Sequence, residues 1–245
     1  INKSGISVLD AFRIAHSWRD AHMRPMLLVR NQLAAKLRCM DCESVSAARL
    51  KRMKSIRRKI RKRPLTLYQM QDIAGCRAIV DSCNDVAELA RFYEQQGKHL
   101  IVDVDDYITT PKPDGYRSRH VILKFQGDGD DAIYNRQNVE VQIRSKAQHS
   151  WATAVEAVGL IKHQNIKGGD GSSQWRRFFE LMSSEIAYDE GMPPCPSAPH
   201  DRKSVREELR EVSNDLGAVG MLETLNRSFQ RYGTLGTSGA RYFLL

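Results

Sequence analysis

The 245-residue sequence lacks the features that mark membrane and secreted proteins. No apolar run approaches the ~18 residues that a membrane-spanning helix needs. No positively charged segment followed by an apolar stretch stands near its start, which predicts no secretory signal. The five cysteines are an odd number, and this favours reduced thiols over a disulfide framework. Together these absences predict a cytoplasmic protein with no membrane partner.

The familiar phosphate-binding and catalytic motifs are also missing. The sequence contains no GxxxxGK[ST] loop and no glycine-rich turn between a strand and a helix. It has no GxSxG, HExxH or kinase HRD motif either. Cys39 and Cys42 form a CxxC, but no second CxxC or histidine pair completes a tetrahedral zinc site. If this protein binds phosphates, it must do so through side-chain cations.

Positive charge is concentrated in one segment. Residues 49–63 read RLKRMKSIRRKIRKR, with ten Lys or Arg and no acid. The whole chain carries a net charge of +9, so the other 230 residues sum to −1. Such a segment predicts a polyanionic ligand, namely nucleotide phosphates, nucleic acid or a membrane surface. The alternative is a solvated helix face with no ligand.

The apolar pattern predicts an α+β fold with a central mixed, mainly antiparallel sheet flanked by helices. Two helices are expected within 8–37, separated near Pro25 because proline disfavours a helix interior. Further helices are predicted over 44–62, 66–70, 84–97, 146–158, 174–190 and 203–230. Strands are predicted over 76–80, 99–104, 119–125 and 138–144, with a loop over 127–131.

Four prolines in 191–200, GMPPCPSAPH, predict a domain boundary. We therefore expect a main domain over 1–190, a linker over 191–204, and a helix with the start of a C-terminal regulatory region over 205–245. Residues 240–245, ARYFLL, resemble a strand without a partner, which predicts that the natural chain continues beyond Leu245. Ile1 in place of Met predicts an upstream start as well.

Three polar groups accompany the predicted strands. Asp72 precedes the strand at 76–80, and a Pro/Gly-rich loop over 106–120 holds a lysine, a tyrosine and a histidine. The segment VEVQIR places Glu140, Gln142 and Arg144 on one face of its strand, because side chains alternate with period two. That face suits a polar site, although an ordinary solvent face would show the same pattern.

Four segments together resemble the synthetase domain of RelA/SpoT proteins and small alarmone synthetases. They are RLKRMKS, QDIAGCRAIV, DYITTPKPDGYRSRH and VEVQIRSKAQHSWATAVEAVG, and the resemblance covers about residues 40–165. It implies a nucleotidyltransferase-like core within the 1–190 domain. It also implies an ATP-dependent pyrophosphokinase, which moves the β,γ-pyrophosphate of ATP onto a ribose 3′-hydroxyl, releases AMP and requires Mg²⁺.

The resemblance also assigns roles to individual residues. ATP would be bound by Arg49, Lys51, Ser55 and Lys59. The catalytic set would be Asp72, Glu140 and Arg77, with the two carboxylates holding Mg²⁺ and the arginine facing charge on the transferred group. Glu140 would act as metal ligand or base toward the attacking hydroxyl. The acceptor would be bound by Lys112, Tyr116, His120, Gln142 and Arg144, with the tyrosine stacking on its base.

The acceptor is the least determined part of this interpretation. Asp105 and Asp114 stand where the alarmone synthetases carry a basic residue and Asn, and their charge would oppose the diphosphate of GDP. We therefore expect the 3′ CCA end of tRNA as acceptor, as in the toxic branch of small alarmone synthetases, with a C-terminal or separate antitoxin region as partner. The alternative is GDP or GTP, which would yield ppGpp and pppGpp. A non-enzymatic RNA-binding module is the third possibility, and the oligomeric state stays open.

Overall fold

The computed structural model describes residues 7–62, 64–164, 166 and 172–233, and these fall into two compact units. The first unit comprises the described residues up to Asp105 together with Arg119–Ile143. The second comprises Asp106–Ser118 and the described residues from Arg144 onward. None of the helices in the described part combines the length and the apolar character needed to cross a membrane.

Helices and strands alternate along the chain in the order expected of an α+β protein. The helices are α1 (Val8–Ala21), α2 (Met23–Arg38), α3 (Met53–Lys62), α4 (Cys83–Gln96), α5 (Lys146–Ile161), α6 (Ser173–Asp189), α7 (Arg202–Leu216) and α8 (Ala218–Gly233). The strands are β1 (Val45–Leu50), β2 (Ala74–Val80), β3 (Leu100–Asp106), β4 (Arg119–Lys124) and β5 (Asn138–Ser145). A 3₁₀ helix, Gly129–Tyr134, covers most of the loop predicted over 127–131.

A five-stranded mixed sheet in the order β1-β2-β5-β4-β3 organises the first unit. The pairs β1–β2 and β4–β5 are antiparallel. Helices α2 and α4 pack on the sheet, where Val121 and Val141 are fully buried. Helix α4 ends at Gly97, as predicted, in the left-handed conformation that favours glycine. The prediction of an α+β fold with a central sheet flanked by helices is confirmed.

The predicted helix over 44–62 is wrong in its first half. Val45–Leu50 forms strand β1, which pairs with β2 from Val45 opposite Ile79 to Leu50 opposite Ala74. The short side chains of this segment carry no strong β signal, and the backbone hydrogen bonds to β2 override local propensity. Arg49 therefore lies on a strand, and α3 begins only at Met53.

Three other helix predictions need adjustment. The short helix predicted over 66–70 is a turn, in which the backbone N–H groups of Gln69 and Met70 donate to the carbonyls of Thr66 and Leu67. The predicted helix over 203–230 is two helices, because Gly217 adopts φ +60° and ends α7. The break predicted near Pro25 lies earlier, at His22, and Pro25 sits in the first turn of α2. A proline is tolerated there because the first N–H groups of a helix have no intrahelical partner.

The second unit is built from helices α5 to α8 and the loop Asp106–Ser118. Its main core contains the buried side chains of Tyr116, Trp151 and Phe179. A smaller cluster joins Leu181 of α6 to Cys195, Ala198 and Val205. The proline-rich segment thus packs within this unit, and the domain boundary predicted at residue 191 stays a prediction. The strand-like segment 240–245 lies outside the described residues.

Candidate active site

A carboxylate held by two lysines marks the end of β1 and the start of α3. The Nζ of Lys51 lies 2.6 Å from one carboxylate oxygen of Asp72, and the Nζ of Lys59 lies 3.0 Å from the other. Lys51 directly follows β1, and its backbone N–H donates to the carbonyl of Ile73, beside Asp72. Burial would raise the pKa of Asp72, but the hydrogen bond and charge of Lys51 and the charge of Lys59 lower it.

The ATP-binding residues predicted on either side of this ion pair are only partly brought together. Ser55 and Lys59 are four residues apart and share one face of α3. Arg49 is exposed on β1, two residues before Lys51. The two lysines and Asp72 therefore form a group, which we call the α3-side cluster. It presents two ammonium groups around a single carboxylate.

A second group of polar side chains lies on strands β4 and β5. His120 and Gln142 are directly paired across these strands, so both point to the same face of the sheet. The Nδ1 of His120 lies 3.1 Å from Glu140, and the Gln142 amide donates to the other Glu140 oxygen at 2.8 Å. Arg77 of β2 donates to Gln142 over 3.5 Å. The structure thus gathers four predicted residues into one group, the Glu140 cluster.

Glu140 is held ionised by its neighbours. Burial would raise the pKa of this carboxyl, but the hydrogen bond and charge of His120 and the hydrogen bond of Gln142 lower it. The negative charge of Asp72 acts in the opposite direction and raises it. Because the charge of Asp72 affects the pKa of Glu140, the α3-side cluster and the Glu140 cluster interact electrostatically within the first unit.

The two carboxylates fit a magnesium ion better than a transition metal. Mg²⁺ prefers oxygen ligands and is commonly bound by one or two carboxylates plus substrate phosphates. No group of three or more His, Cys, Asp or Glu side chains suited to a metal occurs among the described residues. Asp72 and Glu140 could therefore contribute two ligands, and phosphate oxygens and water would have to supply the others. The lysines around Asp72 would remain available to those phosphates.

The predicted acceptor-binding residues of the second unit form an aromatic and cationic group. The Nζ of Lys112 lies 3.9 Å from the ring centre of Tyr107 and 5.2 Å from that of Tyr116. The guanidinium of Arg144 donates to the Tyr116 hydroxyl at 2.6 Å and lies 4.9 Å from its ring centre. Tyr116 is only 8% exposed and belongs to the core of this unit. Its role in stacking on a base stays a prediction.

Sequence reasoning missed Tyr107, which the structure places beside Lys112. The two residues are five positions apart in the same Pro/Gly-rich loop, and an aromatic residue near a lysine there was the available signal. Tyr107 also contacts Tyr116, with ring centres 6.0 Å apart. The loop therefore presents two tyrosines with one lysine over both rings.

Asp114 has a structural role that the sequence did not reveal. Its carboxylate accepts a hydrogen bond from the backbone N–H of Tyr116 at 3.0 Å. Between them, Gly115 adopts φ +84°, a conformation that L side chains rarely adopt. The carbonyl of Gly115 accepts a hydrogen bond from Ser183 of α6 at 2.6 Å. Asp114 thus stabilises a turn, and its charge is partly offset by that N–H.

Arg117 is a second residue that sequence reasoning missed. It is 2% exposed and donates hydrogen bonds to the Ser183 hydroxyl at 2.9 Å, the Ile108 carbonyl at 3.0 Å and the Pro193 carbonyl at 2.8 Å, with a longer one to the Cys195 Sγ at 3.8 Å. No carboxylate among the described residues pairs with it. Its guanidinium ties the loop that carries Tyr116 to helix α6 and to the proline-rich segment.

A family model described as "Region found in RelA / SpoT proteins" matches residues 48–165. Those residues form a RelA/SpoT-type domain. The RelA/SpoT match spans the α3-side cluster, the Glu140 cluster and the loop of Tyr116, and it agrees with the resemblance inferred from the sequence motifs.

Relatives of the RelA/SpoT domain are found among curated proteins and solved structures. The GTP pyrophosphokinase of Haemophilus influenzae is 32% identical over 125 residues, which are 51% of this chain and 15% of that protein. The small alarmone synthetase 2 from Bacillus subtilis superposes with a TM-score of 0.60 at 22% identity, covering 74% of this chain and 95% of that one. A GTP pyrophosphokinase family protein from Streptococcus pneumoniae superposes with a TM-score of 0.55 at 25% identity. The superposition covers 83% of this chain and 96% of that one. This chain thus matches less than one-sixth of the length of the Haemophilus protein.

Proposed function

We propose that this protein is an ATP-dependent pyrophosphokinase that transfers the β,γ-pyrophosphate of ATP to a ribose 3′-hydroxyl. The observation that carries the proposal is the arrangement in the first unit of two lysines, Asp72 and Glu140 within a RelA/SpoT-type domain. In the reaction, a bond forms between the acceptor 3′-oxygen and the β-phosphorus, and the bond from that phosphorus to the α–β bridging oxygen breaks. AMP leaves with that oxygen.

The charge arrangement suits phosphoryl-type transfer, in which positioning and neutralisation supply most of the rate acceleration. Lys51 and Lys59 would bind phosphate oxygens of ATP, with Arg49 and Ser55 as further contacts. Arg77 would face charge on the transferred group. Mg²⁺, held by Asp72 and Glu140, would neutralise phosphate charge when bound.

The lowered pKa of Glu140 bears on how this residue would act. A carboxylate with a lowered pKa is a weak base at neutral pH but a permanent anion. It therefore suits a metal ligand, or an acceptor that orients the attacking hydroxyl, better than the base that removes its proton. His120, hydrogen-bonded to Glu140, is the neighbouring group that could take that proton when its imidazole is neutral, and the Glu140 carboxylate would then stabilise the imidazolium that forms.

We infer that the acceptor is a guanine nucleotide, GDP or GTP. The Haemophilus influenzae relative is a GTP pyrophosphokinase, and the Streptococcus pneumoniae protein belongs to a GTP pyrophosphokinase family. The expectation of a tRNA acceptor rested partly on the charge of Asp114, and that carboxylate is engaged by the Tyr116 N–H. The comparisons give no support to the tRNA acceptor, the toxic branch or an antitoxin partner, so the GDP/GTP alternative fits better.

The second unit supplies the groups that would recognise such an acceptor. Tyr107 and Tyr116 offer aromatic rings for a base, and Lys112 lies over both. A cation beside an aromatic face can bind a phosphate while the ring contacts the base. Arg144 is occupied by the Tyr116 hydroxyl, so we assign it to positioning the ring. The cytoplasmic location stays a prediction.

Substitution of Glu140 separates an enzyme from a non-enzymatic RNA-binding module. With ATP, Mg²⁺ and GTP, Glu140→Gln should lower the rate of AMP formation by about three orders of magnitude, or roughly 4 kcal/mol. Glu88→Gln is the matched control, because Glu88 lies in an exposed ion pair with Lys36, and its rate should stay within twofold. Equal rates for the two variants would exclude Glu140 from the reaction, and no AMP from any variant would favour the binding module.

A further inference from the structure

Helix α3 carries more positive charge than one nucleotide can use. Ser55 and Lys59 occupy the face near Asp72, and Ile56 is buried against Met70 and Ile73. Four of the five remaining cations of α3 lie at positions 54, 57, 58 and 61, the i, i+3, i+4, i+7 spacing of a single helix face, whereas the fifth, Lys62, lies nearer the face of Ser55 and Lys59. We call Lys54, Arg57, Arg58 and Arg61 the α3 cationic stripe.

The α3 cationic stripe points away from the α3-side cluster. At 100° per residue, its mean direction lies roughly 130° around the helix axis from Ser55 and Lys59. All four side chains are exposed, and none forms an ion pair with an acid in the described part of the chain. Like charges at i, i+4 destabilise a helix, so this stripe has an energetic cost that an anionic ligand would offset.

We propose that the α3 cationic stripe binds the phosphate backbone of double-stranded RNA. Ten residues of helix extend ~15 Å. Duplex nucleic acid carries one negative charge per ~1.7 Å of axis, so about nine phosphates lie along that length. A triphosphate bound at Lys51 and Lys59 would lie on another face of α3 and could not neutralise the stripe.

The stripe suits the phosphate backbone of a duplex. It contains only lysine and arginine, which bind backbone phosphates, and helix α3 has no aromatic ring on which a single-stranded base could stack. Double-stranded RNA is recognised mainly through its shape, phosphates and 2′-hydroxyls, because its deep major groove cannot be read by side chains. A membrane-surface helix needs a broad apolar face, and the only exposed apolar side chain described on α3 is Ile60.

The proposal predicts a measurable salt dependence. Neutralising four phosphates of a duplex should give a slope of log K against log salt of about −3.6. Binding should therefore weaken by roughly a hundredfold between 50 and 200 mM salt. The measurement is fluorescence anisotropy of a labelled RNA hairpin with a stem of about two helical turns, titrated with the full chain.

The decisive variant replaces all four stripe residues by glutamine. Lys54→Gln, Arg57→Gln, Arg58→Gln and Arg61→Gln together should weaken hairpin binding at least tenfold at 100 mM salt and flatten the slope to near zero. A control variant with the same charge loss replaces four exposed cations elsewhere in the first unit by glutamine: Arg38, Arg91, Lys98 and Arg136. The control should bind within about twofold of the unchanged protein. Circular dichroism of both variants checks that the fold is kept.

Three results would overturn the proposal. Hairpin binding that survives the stripe variant, or that falls equally in the control, would remove the stripe from RNA recognition. Equally tight binding of a DNA duplex with the same stem sequence would contradict the assignment to RNA. Stripe-dependent binding to phosphatidylserine vesicles without hairpin binding would make the surface a membrane contact. The rate of AMP formation by the stripe variant should stay within twofold of that of the unchanged protein. A failure of RNA binding is therefore distinguishable from a failure of the proposed pyrophosphokinase activity.

Discussion

Replacing Arg117 by methionine tests how the loop of Tyr116 is held. The substitution keeps a long unbranched side chain but removes the hydrogen bonds to Ser183, Ile108 and Pro193, together with the longer one to the Cys195 sulfur. Hydrogen bonds to a charged group contribute about 1.5–3 kcal/mol each, and such contributions do not add fully. We therefore expect the free energy of unfolding to fall by about 3–5 kcal/mol, which lowers the melting temperature by roughly 6–20 °C.

Urea unfolding followed by circular dichroism measures this effect through the transition midpoint and its slope. The control is Arg91→Met, because Arg91 is exposed and its only described hydrogen bond is a 3.4 Å contact within its own helix. That variant should change the free energy of unfolding by no more than about 0.5 kcal/mol. Arg117→Lys keeps the charge but loses the planar set of guanidinium donors. Its loss of unfolding free energy should therefore lie between those of Arg117→Met and Arg91→Met. A loss below about 1 kcal/mol for Arg117→Met would refute the role of this network.

Three further predictions concern the carboxylates and one helix end. Burial would raise the pKa of Glu140, but His120 and Gln142 lower it below its ordinary value of 4.5. The ionised Glu140 therefore contributes fully to the free energy of unfolding above about pH 4.5, and this contribution is lost as the pH falls through the lowered pKa. Urea unfolding at pH 6 and pH 3 should therefore show a smaller acid loss for Glu140→Gln than for the unchanged protein. Lys51→Met should raise the pKa of Asp72, and a carboxyl ¹³C titration that shows no change would contradict the ion pair. Gly217→Ala should cost about 1–2 kcal/mol, because Gly217 is left-handed, whereas Gly220→Ala within α8 should be neutral or stabilise by up to ~1 kcal/mol.

The sequence pattern predicted those helices and strands that depend on neighbouring residues in the chain. The alternation over 138–144 gave strand β5 and the common face of Glu140 and Gln142, and the glycine at 97 gave the end of α4. Strand β1 was missed because its partner β2 is distant in the sequence, with Val45 opposite Ile79. Its residues alone do not show the alternation of a strand.

The parts of the site that depend on tertiary contacts were out of reach. Arg117 bonds to partners 66 and 76 positions away, and a single arginine in the sequence gives no sign of such burial. The engagement of Asp114 by a backbone N–H likewise depends on the turn at Gly115. Residue types thus indicated a phosphate site with two carboxylates. The lowered pKa of each carboxylate depends on partners that only the fold brings into contact with it.

The most direct test of the central claim follows the fate of ATP. The full chain is incubated with Mg²⁺ and ATP labelled in the γ-phosphate, and GDP, GTP and deacylated tRNA are offered in separate reactions. Our account predicts that AMP and a labelled guanine nucleotide appear in equal amounts, with the label on the 3′ position. ADP or inorganic phosphate as the product of ATP would contradict pyrophosphate transfer, and label on tRNA alone would contradict the guanine nucleotide acceptor.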